Sequence, residues 1–475
     1  MRRAPHPITV AAGQLVAKPL RDARDTLAAI ERLIEQAAMR HAGLVVLPEC
    51  AYPAYGIGSV EAYRAVACVP NDAFMAHLRT LARRWRLCIV SGFVEDTPDG
   101  LANAAVLIDA DGREVGRHRK TFLWDQGNVW FRRGERLQVF DTTIGRIGMV
   151  ICAEARCPEV VATLAAQGAE LIAMPTCWIN TPTDSMPFNN PQVEFMIEAR
   201  VREFGIPFVC ANKSGSDGPG FSYCGRSLIV DADARRTAEA PPTGEAIVVS
   251  SVTASPPRRS WIPSSRRPVL TGQVEAARPP ADAPPVIVAV VPGGVADEML
   301  SDTTGEALFG PLRRQGVQLV LTNVQYEAMA DAIVSIGRGF GIETVAFPAR
   351  SDVYTIGVPV GVRMFRGACV GGQAIQTFAS ARSLALSGAA ALLVFDAPSD
   401  LAVLRTRAAE NRVFVLAVAD AWAAVIAPDG AVLAETAANP PAPLVVKIEP
   451  AKAAEKAVAP LTDIFEERAT AAFRF

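Results

Sequence analysis

The stretch Gly148-Met-Val-Ile-Cys152-Ala-Glu-Ala-Arg156-Cys-Pro-Glu159 decides how the rest of the chain reads. Ile147 to Ile151 is a short apolar run, the mark of a buried strand. Arg156 to Gln167 sets Val160, Val161 and Leu164 one turn apart, the mark of a helix. Cys152 therefore stands at a strand-to-helix corner. A thiol held there faces a helix N-terminus, whose free N–H groups and dipole favour a thiolate and could bind an oxyanion. A lone intracellular thiol is more often a core residue, so this corner needs support from elsewhere.

Outward from it, strands and helices alternate. Ile8–Leu15 and Leu44–Leu47 are apolar strands. Between them Asp22–Met39 carries Leu27, Ile30, Leu33, Ile34 and Ala37 on one helical face. A helix over Ala73–Arg84 and strands over Leu87–Phe93, Ala104–Asp109 and Glu114–His118 follow. After Cys152 the pattern resumes with strand Glu170–Met174, helix Val193–Phe204 and strands Phe208–Ala211, Arg226–Val230 and Ala246–Ser250. This mixture predicts a layered α/β sandwich.

At 475 residues the chain is too long for one ordinary core. Ser255–Pro285 is dense in Pro, Arg and Ala and reads as an extended connector. Beyond it the pattern restarts. Val286–Val291 reads like the first strand, and Leu319-Val-Leu-Thr-Asn323 lies on Val45-Val-Leu-Pro-Glu49. Leu384-Ala-Leu-Ser-Gly-Ala-Ala-Ala-Leu-Leu393 echoes Leu164 to Ile172, Arg407-Ala-Ala-Glu410 echoes Arg200-Val-Arg-Glu203, and Ala427-Pro-Asp-Gly430 echoes Asp231 to Ala234. Several echoes in one order predict a duplicated domain. The expected division is residues 1–272, a linker at 273–285, a shortened second copy at 286–450 and a tail at 451–475.

Composition excludes several classes. Lys plus Arg number 47 against Asp plus Glu 49, so there is no electrostatic case for nucleic acid or an anionic membrane. No uncharged apolar run reaches transmembrane length and none follows the N-terminal charges as in a signal peptide. The nine cysteines lack paired Cys-x-x-Cys spacing, which argues against a disulfide framework or zinc site and for a reducing cytoplasm.

Two residues support Cys152. Glu49 ends a buried strand in Leu47-Pro-Glu-Cys-Ala-Tyr-Pro53, and Lys120 follows one in Arg117-His-Arg-Lys-Thr-Phe-Leu-Trp124. Only Lys18, Lys120 and Lys213 precede residue 447, so a strand-end lysine beside Phe122, Leu123 and Trp124 stands out. A carboxylate in a dry pocket can act as base toward the thiol, and a fixed ammonium can hold the oxyanion formed at a carbonyl or nitrile carbon. His118, on the same face as Lys120, is a rival base. No Gly-x-Ser-x-Gly elbow, phosphate loop or metal-ligand spacing occurs. Tyr52, Tyr55, Trp124 and Trp178 follow strand ends expected to converge on Cys152 and are candidate pocket walls.

At these residues the chain resembles the nitrilase superfamily of carbon–nitrogen hydrolases, over Ile8 to about Leu270. The resemblance rests on Leu47-Pro-Glu49, His118-Arg-Lys120 and Gly148 to Glu159, continued by Gly168 to Ile172 and Arg200 to Asn212. It implies a four-layer αββα sandwich, Glu49 as base, Cys152 as nucleophile, and Lys120 with the Ala153 N–H as oxyanion donors, without metal or cofactor. It also implies a small amide or carbamoyl substrate; a nitrile is the alternative. Members usually carry another acid in the loop after the lysine, where this chain has Gly127, so a pseudoenzyme or binding scaffold stays open. In the second copy Asn323 stands at Glu49's place, and no lysine occurs from Ser214 to Val446. That copy is expected to be inert and to pair with the first as an intrachain pseudo-dimer through the helices Arg156–Gln167, Val193–Phe204, Ile375–Ser387 and Asp400–Asn411, with further self-association open.

Overall fold

The computed structural model describes residues 6–66, 70–182, 187–257, 266–299, 304–324, 327–348, 354–360, 363–436 and 442–474. Part of the expected connector, 258–265, lies outside the described residues. Two compact units emerge: Met1–Trp261 together with Ala457–Phe475, and Ile262–Lys456.

In the first unit β1 (His6–Ala17), β2 (Leu44–Val46), β3 (Cys88–Thr97), β4 (Gly100–Ile108) and β5 (Glu114–Arg119) lie side by side. The first three are parallel and the last two form hairpins. A second sheet carries β6 (Val139–Thr142), β7 (Gly145–Met149), β8 (Leu171–Pro175) and β9 (Phe208–Ala211), with β7, β8 and β9 parallel. The hairpin β10 (Lys213–Gly218) and β11 (Phe221–Cys224) extends the first sheet beyond β1. β12 (Leu228–Val230) and β13 (Arg236–Glu239) extend the second, and β14 (Ala246–Ala254) pairs antiparallel with β1. β2 is buried along its whole length, so its sequence is continuously apolar rather than alternating.

The helix Ala23–Met39 buries Ile30, Leu33, Ile34 and Ala37, the face its spacing predicts, and joins Phe74, Leu78 and Ala82 of helix Asn71–Trp85 over β1 to β4. The two sheets meet through β2 and β3 against β8 and through β1 against β9. At that meeting Glu49 N donates to Thr176 O at 3.3 Å, stitching the carboxyl ends of the two sheets together.

The second unit has the same order of pairings. β15 (Val286–Val291), β16 (Leu319–Val324) and β17 (Glu343–Pro348) are parallel. β18 (Tyr354–Val360), β19 (Arg363–Gly371), β20 (Ala391–Phe395), β21 (Phe414–Val418), β22 (Ala423–Ile426) and β23 (Val432–Glu435) form the other sheet. β24 (Leu444–Ile448) returns to β15. The sense along β24–β15–β16–β17 is that of β14–β1–β2–β3, and along β18 to β23 that of β6–β7–β8–β9–β12–β13. Cys369, Leu393 and Leu416 meet Val288 and Leu321 in its core.

Some elements differ from the sequence expectation. The turn after Ile151 is a 3₁₀ turn, Cys152–Arg156, and the helix begins only at Pro158, running to Ala166. Proline at that position needs no N–H partner. The helix expected over Val193–Phe204 opens with a π-helical turn, Gln192–Met196, and becomes regular over Ile197–Phe204. Within the proline-rich stretch, Arg267–Leu270 is helical, Leu270 is fully buried, and Ala277 bridges Ser387 of the second unit. The segment Ala457–Phe475 groups with the first unit, reached after the whole second unit has been traversed.

Candidate active site

Pro48 stops the strand, and Glu49 follows it at the carboxyl edge of the first sheet. Lys120 leaves the end of β5. Lys120 Nζ and Asn103 Nδ2, from β4, each donate to Glu49 Oε1 at 2.6 Å. The other oxygen, Oε2, makes no hydrogen bond among the described residues. Both side chains of the pair are inaccessible, 1% and 0% exposed. Removing two charges from water is costly, and such a pair persists only with close geometry of this kind.

Cys152 enters from the second sheet with φ of 49°, in the left-handed region that costs a non-glycine residue of order 1 kcal/mol or more. Gln192 Nε2 donates to its carbonyl at 2.8 Å, and the buried Arg200 holds the Ala155 carbonyl at 3.1 Å while pairing with Glu203 at 2.9 Å. Glu154 joins the two sheets. One of its oxygens accepts from Thr121 N and Thr121 Oγ1, both at 2.6 Å; the other accepts from Ile151 N at 2.6 Å and meets His118 Nε2 at 2.8 Å. One carboxylate thus fixes the residue after Lys120 against the residue before Cys152. His118, the rival base, is committed to this tie.

Electrostatics set the protonation of the sulfur. Burial first, and Glu49 second, push the Cys152 thiol up to about 12. Lys120, the Thr176 hydroxyl and the Cys177 N–H pull the other way. The Thr176 hydroxyl forms no hydrogen bond of full geometry among the described residues, so its pull is that of a nearby dipole. The expectation of a helix-stabilised thiolate is corrected here: the helix starts six residues later and dehydration dominates, leaving a thiol at neutral pH. Burial also works against the Lys120 ammonium, but Glu49, then Cys152, outweigh it and raise its pKa. For Glu154 burial is outweighed by His118 and Thr121, and its pKa is lowered.

The aromatic candidates separate. Tyr55 is buried in one cluster with Leu123, Trp130, Phe131, Cys177, Phe221 and Tyr223. Its hydroxyl donates to Trp124 O at 3.2 Å, and a Cβ added at Gly127 would lie 3.2 Å from that hydroxyl. The phenol pKa is raised well above its ordinary value by burial first and then by the charges of Glu49 and Cys152. Trp124 lies under the Arg156 guanidinium at 4.8 Å. Trp178 is fully buried, with an indole N–H that has no partner among the described residues. Tyr52 stacks on Phe74 at 4.7 Å, in the core beneath the outer helices. Ala153 is buried in the turn after the thiol. Among the described residues no three His, Cys, Asp or Glu side chains group so as to hold a metal ion, and no helix is long and apolar enough to cross a membrane.

Sequence reading missed Asn103, Thr176 and the tie through Glu154. Asn103 left a signal, a single polar residue inside Leu101-Ala-Asn-Ala-Ala-Val106. It also missed Asp217, which accepts from Tyr55 N at 3.0 Å, Tyr223 OH at 2.7 Å and Lys213 Nζ at 3.2 Å, fixing the loop after Glu49.

Known proteins resemble the first unit. The N-carbamoylputrescine amidase of Arabidopsis thaliana is 26% identical over 268 residues, 52% of this chain and 89% of that protein. The nitrilase of Pyrococcus abyssi (strain GE5 / Orsay) is 30% identical over 224 residues, 47% of this chain and 81% of that one. Among solved structures, an amidase from Nesterenkonia sp. aligns with 53% of this chain and 91% of its own at 24% identity and a TM-score of 0.45. The carbon–nitrogen hydrolase family model matches residues 9–256, more than half the sequence, and the chain belongs to that family, within the nitrilase superfamily.

Proposed function

We propose that the first unit hydrolyses the C–N bond of a small linear amide or carbamoyl compound, with Glu49, Lys120 and Cys152 as its reacting groups. The observation that carries this is the buried Lys120–Glu49 contact of 2.6 Å, whose two charges act on the Cys152 thiol, with Glu49 Oε2 left unpartnered among the described residues. A buried polar atom without a partner calls for a ligand or a proton. As the sulfur attacks the carbonyl carbon, its proton passes to Glu49 and the carbonyl π electrons move to oxygen. Lys120 and the Ala153 N–H hold that oxyanion. Collapse breaks the C–N bond, the amine leaves with the proton from Glu49, and a thioester remains on Cys152. Water, giving a proton to Glu49, then attacks the thioester, and the acid departs as the proton returns to sulfur.

An amide or carbamoyl substrate is favoured by Cys152-Ala-Glu-x-Arg-x-Pro-Glu159 and by relatives named as amidases, the Arabidopsis N-carbamoylputrescine amidase among them. Tyr55 also bears on the scaffold alternative raised by Gly127: its hydroxyl lies 3.2 Å from where a Cβ at Gly127 would stand, a polar group beside the place where a carboxylate is missing. Incubation with a panel of linear amides followed by mass spectrometry tests the proposal. An acyl adduct on Cys152, absent from Cys152→Ala, is the expected result. Absence of adduct and of ammonia release across the panel would turn the reading toward a binding scaffold.

We further propose that the second unit is a duplicate of the first without its chemistry. The support is the shared order of strand pairings and the register of β19 on β20, which puts Gly372 where β7 on β8 puts Cys152.

A further inference from the structure

The loop that follows Lys120 hangs from that residue: it departs at Thr121 and returns where Gly134 N donates to Lys120 O at 2.8 Å. Its inner side carries Trp124 and Trp130 toward Tyr55. Its outer side is held by the far end of the chain. Asp125, at φ 45°, donates its N–H to Thr462 Oγ1 at 2.7 Å, and Asn128 Nδ2 donates to Leu461 O at 2.9 Å. Arg133 Nη1 donates to Glu467 O at 2.8 Å and its guanidinium also pairs with the Glu467 carboxylate. Six residues past Thr462 the same segment reaches the helix behind Cys152: Arg468 Nη1 meets Glu159 Oε1 at 3.1 Å, with both side chains buried. Arg474 N then donates to Thr163 Oγ1 at 3.0 Å, and Ile464 and Phe473 are buried beside these contacts.

We propose that residues 461–474 are a positioning strap for the site, with Thr462 as its grip on the loop after Lys120 and Arg468 as its grip on the helix after Cys152. The proposal rests on the function proposed above. Glu49 and Lys120 come from the first sheet and Cys152 from the second, so their alignment depends on what crosses between sheets. Glu154 crosses on the inside. The strap crosses on the outside, from sequence lying beyond the 9–256 family match. It touches none of the reacting atoms. It acts on the fraction of molecules whose loop is closed, and apparent affinity scales with that fraction.

The test uses the full chain with Thr462→Val, which removes the acceptor without stranding a charge, Thr462→Ser, which restores it, and Glu467→Gln, which weakens the pairing with Arg133 on the same loop. Losing one hydrogen bond of ordinary worth shifts the open-to-closed ratio by about five-fold. Thr462→Val is therefore expected to speed amide hydrogen exchange of 121–134, and iodoacetamide modification of Cys152, by about that factor, with exchange in β1 and β8 unchanged. Glu467→Gln is expected to do the same to a smaller extent, and Thr462→Ser to behave as wild type. In turnover, KM rises for Thr462→Val while kcat stays within about two-fold. Unchanged exchange and modification rates in Thr462→Val and Glu467→Gln would overturn the strap, as would an effect spread evenly over the unit. A wild-type protein inactive on every amide would instead fail the proposed function, while exchange and thiol modification would still decide the strap.

Discussion

The two units hold a buried arginine in the same way and differ in what stands next to it. In the first, Arg200 Nε holds the carbonyl of Ala155, three residues past Cys152, and Nη1 pairs with Glu203 at 2.9 Å. In the second, Arg407 Nε holds the carbonyl of Ile375 at 3.0 Å, three residues past Gly372, and Nη1 pairs with Glu410 at 2.6 Å. The brace under the elbow is thus present with and without a nucleophile. It is a device for shaping a turn, and the chemistry is added to it. At Gly372 the second unit leaves no room for a side chain: a Cβ there would lie 1.9 Å from the Asp396 carbonyl oxygen. Asn323, at the place of Glu49, turns its Nδ2 to Asp396 at 2.9 Å and Asp420 at 3.3 Å. Among the described residues no hairpin corresponding to β4 and β5, which delivers Lys120, intervenes between β17 and β18.

The sharpest way to break this comparison is at the shared brace. Arg200→Ala and Arg407→Ala each remove the guanidinium paired with a buried glutamate and should each destabilise their own unit by about 3–5 kcal/mol in chemical denaturation. Only Arg200→Ala should also remove amide turnover. Equal losses of turnover from both would mean that the second unit contributes to the reaction. Gly372→Cys belongs to the same series. It should lower the melting temperature through overpacking and give no thioester, since a main-chain oxygen already fills the space.

Thiol reactivity gives a smaller effect whose sign is diagnostic. Glu49 raises the Cys152 pKa and Lys120 lowers it. Glu49→Gln, an amide like that of Asn323, should bring the thiol pKa down and quicken alkylation near pH 8, whereas Lys120→Met should raise it and slow alkylation, each by about ten-fold for one pKa unit. Both variants should lose turnover. Stopped-flow alkylation from pH 6 to 10 reads the difference, and a shift in the same direction for the two would separate Cys152 from the ion pair. The smallest effect is at Tyr55. Tyr55→Phe removes one polar contact and should raise KM about five-fold. Gly127→Ala should be tolerated better in Tyr55→Phe than in the parent protein, because the hydroxyl 3.2 Å from the new Cβ is gone; melting curves of the four proteins measure that coupling.

Much of the candidate site was legible because each proposed reacting side chain sits in a local pattern: Glu49 after an apolar run and proline, Lys120 where lysines are scarce, Cys152 between strand and helix. The Arg200–Glu203 echo at Arg407–Glu410 was legible too, and it marks the brace. Three things were not. The β10–β11 hairpin, Lys213-Ser-Gly-Ser-Asp-Gly218, has no apolar alternation, and it is held by Asp217 reaching Tyr55, Lys213 and Tyr223. The protonation of Cys152 depends on dehydration, which is a property of packing rather than of spacing along the chain. The pairing of Asp125 with Thr462 spans 337 positions, and no local pattern carries a contact of that range.

Because Arg468 and Thr462 complete a unit begun at the other end of the chain, the order of synthesis matters. A ribosome has made every proposed reacting side chain by Cys152, yet must finish Ile262–Lys456 before Ala457–Phe475 can emerge. A polypeptide not yet extended through Arg468 would carry Glu49, Lys120 and Cys152 without the Arg468–Glu159 contact, and on the proposed strap its loop would be closed in a smaller fraction of molecules.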